Sequence, residues 1–258
     1  YIGAAYLACQ GAARVGTGLV TLACTLSLQS ILASKLTEVT YLPLPEDEGR
    51  GIPSKAVDLI EDQINDSQAL LVGCGLGQEK PTRELVHRLL LKQGRPLPPT
   101  IVDADGLNIL THYPGWWEKL GQETVLTPHP GEMARLMGLS NRDVQQDRIG
   151  VARQGARHWG KVVVLKGAHS VVARPDGQAM ISPFANPGLA SAGTGDVLAG
   201  AIAGLMAQGL APWDAAVAGV YLHGIAGEMG RRELGDTGLL ASDLLPLLPR
   251  AIKGLKED

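Results

Sequence analysis

Strand-sized runs of Val, Leu and Ile recur along this chain at residues 19–24, 38–44, 69–75, 100–105, 124–130 and 161–167. Helix-period patterns alternate with them at roughly 3–15, 53–66, 80–93 and 143–159. Nothing constrains the fold more than this alternation. A strand, a helix and a second strand close as a right-handed crossover, so the pattern predicts a mostly parallel sheet with helices on both faces. "SVVARPDGQAMIS" (170–182) then reads as a hairpin turned at "PDG". Only helices follow, at about 193–209, 212–234 and 242–254, with Pro246 and Pro249 predicting a kink or break in the last. With 33 glycines and one Phe in 258 residues, the core must be aliphatic and small-residue, and neither linker nor repeat divides the chain. One α/β domain over 1–258 is the expectation.

Several partner classes drop out on composition. The formal charge of −3 is spread along the chain, and no run of Lys and Arg would grip a phosphate backbone, so nucleic acid is not an expected partner. No apolar run reaches the ~18 residues that span a bilayer. The N-terminus carries no basic region followed by an apolar core. Cys9, Cys24 and Cys74 are too scattered for a disulfide framework or a metal cluster, and a reducing cytoplasm is expected. The opening "YIGAAYLACQGAARVGTGLVTLAC" lacks Met and reads as though already inside a domain, which suggests a fragment of a longer chain.

Chemistry is expected beyond the carboxyl ends of the strands, where open parallel sheets bind ligands. Four polar or glycine-rich tails follow strands directly: "GCGLGQ" (73–78), "DADGLN" (103–108), "TPHPGE" (127–132) and "KGAHS" (166–170). The first is no dinucleotide fingerprint, since its third glycine would fall at Gln78. It is either a loop whose backbone approaches a ligand or a plain tight turn. In the second, strand alternation puts Asp103 and Asp105 on one face, where they could orient a hydrated Mg²⁺; alternatively one of them caps the next helix. In the third, two prolines hold His129 rigidly, for a substrate or for structure. "KGAHS" could offer backbone donors to a phosphate. His223, on the apolar stretch "AAVAGVYLHGIAGEM", reads as a packing residue, and His158 and His169 carry no further signal.

"SAGTGD" (191–196) is the most informative stretch. Gly193 and Gly195 free the backbone around Thr194 to form a nest of N–H groups at a helix N-terminus, a site for an anion. Asp196, in the first helical turn, would be kept ionised by the same field. A carboxylate beside a phosphate site, with no Walker lysine in the loop, suggests a base that deprotonates an accepting hydroxyl. The plainer alternative is an acid that only stabilises the helix end.

"SAGTGDVLAG" resembles the anion-hole and catalytic-Asp motif of ribokinase-like small-molecule kinases. Together with "VGCGLG", "DADGLN", "LTPHPGEMARL", "VVLKGAHSVVA" and "GVYLHGIAGE", in order along nearly the whole chain, it is similar to the ADP- or ATP-dependent NAD(P)H-hydrate dehydratases. That resemblance implies a ribokinase-like three-layer sandwich. It also implies repair of hydrated NADH or NADPH at the expense of ADP or ATP with Mg²⁺, ADP being the bacterial tendency. Carried over by motif, Ala5, Gly75, His129 and Asp196 would contact the hydrated dinucleotide. Lys166, Gly167, Ala168, His169, Ser170 and Gly195 would line the adenine nucleotide, with Gly193, Thr194 and Gly195 as anion hole. The family often forms homo-oligomers, and bifunctional members carry an upstream epimerase domain. By the same resemblance this chain lacks its first strand or that domain. Two rivals are a kinase of a small alcohol or vitamin precursor, against which "TPHPGE" speaks, and a nucleotide-binding module without turnover, against which Asp196 speaks.

Overall fold

The computed structural model describes residues 1–46, 51–92 and 96–257. The N-terminal third runs α1 (Ile2–Arg14), β1 (Thr21–Thr25), α2 (Leu26–Ala33), β2 (Thr40–Leu44), α3 (Val57–Ile64), β3 (Leu70–Val72) and α4 (Lys80–Leu91). The middle runs β4 (Thr100–Val102), α5 (Asp105–Leu110), α6 (Trp116–Lys119), β5 (Thr124–Leu126), α7 (Pro130–Met137), α8 (Asn141–Gln146), α9 (Arg148–Trp159) and β6 (Val162–Leu165). β7 (Val171–Ala173) and β8 (Ala179–Ile181) precede α10 (Thr194–Ala207), α11 (Pro212–Leu234) and α12 (Ala241–Glu257).

β3, β4, β5 and β6 lie side by side in chain order, all parallel, and β7 and β8 extend the sheet antiparallel. Alternation along each strand sends side chains to opposite faces. Val102, Leu126, Val163 and Leu165 enter a core shared with α3, α4, α5, α7 and α9. Ile101, Val125, Val164 and Val172 enter a second core shared with α10, α11 and α12. The result is the expected three-layer α/β sandwich. α1 lies outside that second layer, in backbone contact with α10: a Cβ on Gly200 would fall 2.0 Å from the Ala8 carbonyl oxygen, and one on Gly11 2.5 Å from that of Val197.

Several expectations are corrected. The runs at 19–24 and 38–44 do not join the main sheet; β1 and β2 pair in parallel with each other and pack on α1 through Cys9, Cys24, Leu32 and Val39. The helix expected at 53–66 begins as a 3-10 turn at Ser54–Ala56. The one expected at 143–159 is two helices broken at Asp147, whose carboxylate accepts from Gly150 N (2.8 Å) and caps α9. The end of the helix expected at 80–93 lies outside the described residues. α12 continues through Pro246 and Pro249, which cannot donate to the carbonyls of Ser242 and Leu245. Burial of Leu244, Leu245, Leu247 and Leu248 holds that helix in place.

Candidate active site

The carboxyl ends of β3 to β6 deliver four side chains to one place. Lys166, just past β6, reaches Asp103, just past β4: Nζ to Oδ1 is 2.5 Å, and Glu132 Oε2 lies 4.0 Å from the same ammonium. Cys74, past β3, points its thiol at Asp103 Oδ2 (3.8 Å). Asp196 enters from the opposite side, in the first turn of α10. One ligand atom each from Cys74, Asp103 and Asp196 lies within 4.8 Å of the others. Burial opposes the charge on Lys166, but Asp103 and Glu132 outweigh it and hold its pKa above the usual lysine value.

A cleft of about 470 Å³ opens over this cluster, with Asp196, Glu132, Asp105, Asn108, Gly75 and Ala4 in its wall. A larger depression, about 700 Å³, lies beside Trp117 and Arg153, but no acid lines it, so the chemistry belongs to the smaller one. Glu132 is only 4% exposed, and burial raises its pKa against the pull of Lys166. Burial likewise raises the pKa of Asp196, while a hydrogen bond from the Cys74 thiol lowers it. Lost hydration thus outweighs the favourable contacts in setting the pKa of Asp196 above the ordinary aspartate value.

His129 is the N-cap of α7. Its Nδ1 accepts from Gly131 N (3.0 Å) and Glu132 N (3.3 Å), and the Glu132 carboxylate accepts from His129 N (2.7 Å), a reciprocal capping box. With Nδ1 accepting, the neutral ring carries its proton on Nε2, 3.4 Å from Glu132 Oε1. Burial lowers the pKa of this histidine, which keeps it neutral. The cap fixes the ring, and half of the side chain stays exposed.

The glycines around Asp196 differ in kind. Gly193 adopts φ +93°, and a Cβ there would meet Leu7 Cδ1 at 2.5 Å; Gly195 is helical, and a Cβ there would meet Lys166 Nζ at 3.4 Å, an ordinary contact. Thr194 turns its hydroxyl back onto Leu189 O (2.7 Å) and Ser191 O (2.9 Å), and its N–H lies 3.4 Å from the same Ser191 O, so both donors of the expected anion-hole residue Thr194 face the loop. Gly75 approaches protein backbone closely, since its Cβ would fall 2.5 Å from Tyr1 O. Ala4 faces the cleft, whereas Ala5 packs toward Cys9 and Cys24. Gly167, Ala168 and His169 form an exposed rim, braced by Ser170 Oγ on Gly167 N and O and by His169 Nδ1, 3.0 Å from Ser182 O.

Asp103 and Asp105 do not share a face. Ala104, at φ +49°, turns the chain between them, and Asp105 accepts from Gly77 N and Gln78 Nε2 at 2.9 Å each; neither acid caps α5 through its side chain. The grouping of Cys74, Asp103 and Asp196 also suits a small hard cation poorly. Burial pushes the thiol well above its usual pKa, which keeps it protonated, and Lys166 already neutralises Asp103. Glu132 and Cys74 join the site without having been singled out by any motif. The signal for Glu132 was present as an acid three residues after a cap in "HPGE"; for Cys74 there was none, because its partners are distant in sequence.

A family model described as NAD(P)H-hydrate dehydratase matches residues 1–250. The bifunctional NAD(P)H-hydrate repair enzyme of Moorella thermoacetica is 44% identical over 99% of this chain and 48% of its own length, so the chain spans about half of that relative. An ADP/ATP-dependent NAD(P)H-hydrate dehydratase of Bacillus subtilis, co-crystallised with ATP and Mg²⁺, superposes with a TM-score of 0.78 at 32% identity, covering 98% of this chain and 85% of that one. A ribokinase-like superfamily protein of Enterococcus faecalis, 23% identical, shares the fold at a TM-score of 0.79 over 98% of this chain and 82% of its own. With its strand ends, capped histidine and glycine-flanked Asp196 in that common frame, this chain belongs to the NAD(P)H-hydrate dehydratase family.

Proposed function

We propose that this chain dehydrates the S epimer of hydrated NADH or NADPH, with ADP or ATP as phosphoryl donor. The observation that carries the reading is Asp196 in the first turn of α10, lining the cleft beside Gly193 at the positive end of that helix. Asp196 takes the proton of the ring hydroxyl as that oxygen bonds to the terminal phosphorus of the nucleotide. The bond from phosphorus to the bridging oxygen breaks, leaving AMP from ADP or ADP from ATP. Backbone N–H groups of Gly193 and Gly195 receive the transferred oxygens, that of Thr194 being turned to Ser191 O (3.4 Å). Phosphate then departs, pushed by the ring-nitrogen lone pair, and loss of a ring proton restores the dihydronicotinamide. A buried base with a raised pKa suits this, because it holds a proton better than a solvated aspartate does.

In this reading the hydrated dinucleotide lies against Gly75, His129 and Asp196, with Ala4 taking the place expected of Ala5. The loop Lys166, Gly167, Ala168, His169 and Ser170, together with Gly195, takes the adenine nucleotide. Bound to the nucleotide's phosphate oxygens, Mg²⁺ would supply charge neutralisation there; Asp103 and Asp105 are committed to Lys166 and to the Gly77–Gln78 turn. An epimerase activity would belong to the half of the bifunctional relatives that this chain does not match. A cytoplasmic homo-oligomer completes the reading, and sedimentation tests the assembly.

The test is return of the reduced-nicotinamide absorbance from hydrated NADH with Mg²⁺, run in parallel with ADP and ATP. Turnover with at least one nucleotide is expected, and none with either overturns the reading. Asp196→Asn should lower kcat by roughly 10²–10⁴-fold while leaving ADP affinity within about threefold of wild type. Near-normal turnover in that variant removes Asp196 as the base.

A further inference from the structure

We propose that His223 is a positioning residue for the anion site, holding the first peptide of α10 so that the Gly195 N–H stays aimed at the transferred phosphoryl group. The proposal rests on the dehydratase reading above and gives a role to a side chain that reading leaves idle. The motif pattern makes His223 a packing residue of α11, and it is indeed only 8% exposed. Its Nε2 nevertheless lies 3.0 Å from Thr194 O. A carbonyl offers only lone pairs, so the imidazole carries its proton on Nε2 and donates. Burial pushes the pKa of His223 down to about 4, which keeps the ring neutral and able to sit at this depth.

Thr194 C=O and Gly195 N–H belong to one planar peptide and point in opposite directions. A donor clamped on the carbonyl therefore sets the direction of the N–H. Within α10 the Thr194 carbonyl also accepts the helical bond of its own turn, and His223 takes its second lone pair. The first i to i−4 bond of α10 runs from Val197 N to Gly193 O (3.2 Å) and the Thr194 N–H turns back to Ser191 O (3.4 Å), which leaves the N–H groups of Gly195 and Asp196 without a helical partner. Gly193 and Gly195 flank it and restrain the backbone least of all residues. The surrounding tethers act on other groups: Ser191 Oγ donates to Leu239 O (2.8 Å), and the Thr194 hydroxyl points back into the loop. Among the described residues, the side chain that bonds to the peptide carrying the Gly195 N–H is His223.

Two substitutions separate positioning from packing. In His223→Gln the amide keeps an N–H donor with nearly the reach of Nε2; in His223→Met the volume is filled without a donor. Turnover of hydrated NADH is measured with ADP and with ATP. His223→Met should lower kcat by at least about tenfold with each KM changed less than about threefold, and His223→Gln should recover to within about threefold of wild type. A second readout needs no turnover: the Gly195 amide resonance of isotope-labelled protein during titration with inorganic phosphate. It should shift in wild type and His223→Gln and stay put in His223→Met. A His223→Met enzyme within about twofold of wild-type kcat overturns the proposal, as does an equal loss in both variants with the Gly195 response intact. If wild type turns nothing over, the dehydratase reading fails, and the Gly195 titration still decides the tether.

Discussion

At the scale of single residues, burial raises the pKa of Asp196 and Cys74 pulls it part of the way back. Its thiol, 3.8 Å from Asp103 Oδ2 and within 4.8 Å of an Asp196 oxygen, stays protonated because burial and two neighbouring carboxylates push its pKa well up, so it is a donor shared between the two acids and not a nucleophile. That donor lowers the pKa of Asp196 against the larger effect of burial. A base must be deprotonated to work, so the acid limb of the wild-type kcat/KM profile should lie above the ordinary aspartate value. Cys74→Ala removes the donor and should move that limb further toward high pH, whereas Cys74→Ser keeps a donor and should move it less. An unmoved limb in the alanine variant means that the thiol does not tune the base. Asp196 itself was legible in the chain, because an acid after a Gly-Thr-Gly turn and in the first turn of an apolar helix has few bland explanations. Its neighbours Cys74, Glu132 and Lys166 were not legible as a group, since strands β3, β5 and β6 bring them together only once the sheet is ordered.

Among the elements, the contact of α1 with α10 fixes the depth at which the first turn of α10 sits beneath the cleft. The two helices cross with backbone against backbone, and an added methyl on Gly200 would land 2.0 Å from Ala8 O. Ala is the better helix former by roughly 1 kcal/mol, yet overpacking of this kind costs about 1–3 kcal/mol, and carbonyl oxygen cannot rotate away as a side chain can. Gly200→Ala should therefore lower the urea midpoint with an unchanged slope, while a solvent-facing control such as Gly254→Ala, whose Cβ meets nothing within 4 Å, should not. The alternation of strand and helix was readable because each long element repeats its period several times. α2, α5 and α6 span only 8, 6 and 4 residues, too few turns for a period to show. That β1 and β2 stand apart from the main sheet is decided by α1 wedging against them, a long-range fact with no local signal.

For the molecule as a whole, the neutral His223 that clamps α10 also makes global stability depend on pH. Its pKa is depressed from 6.5 to about 4 by burial. At neutral pH neither the folded nor the unfolded chain protonates it, and it contributes nothing. As pH falls below 6.5 the unfolded chain binds the proton first, so folding weakens, and the loss levels off once pH passes below about 4. Between pH 7 and pH 5 the loss is about 2 kcal/mol, because each pH step over which only the unfolded chain holds the proton costs about 1.4 kcal/mol. Buried acids act with the opposite sign: Glu132 and Asp196, with raised pKa values, keep protons that the unfolded chain has released, so they favour folding as pH falls. Wild-type stability alone would mix the two signs. The difference between wild type and His223→Gln cancels the acids, because both proteins carry them. Urea unfolding at pH 7 and at pH 5 should show wild type losing about 2 kcal/mol more than His223→Gln does over that interval. Equal losses in the two proteins would mean that His223 takes up a proton in the folded state as readily as in the unfolded one, which the cost of burying the charged ring opposes even though its Nε2 would keep its bond to Thr194 O.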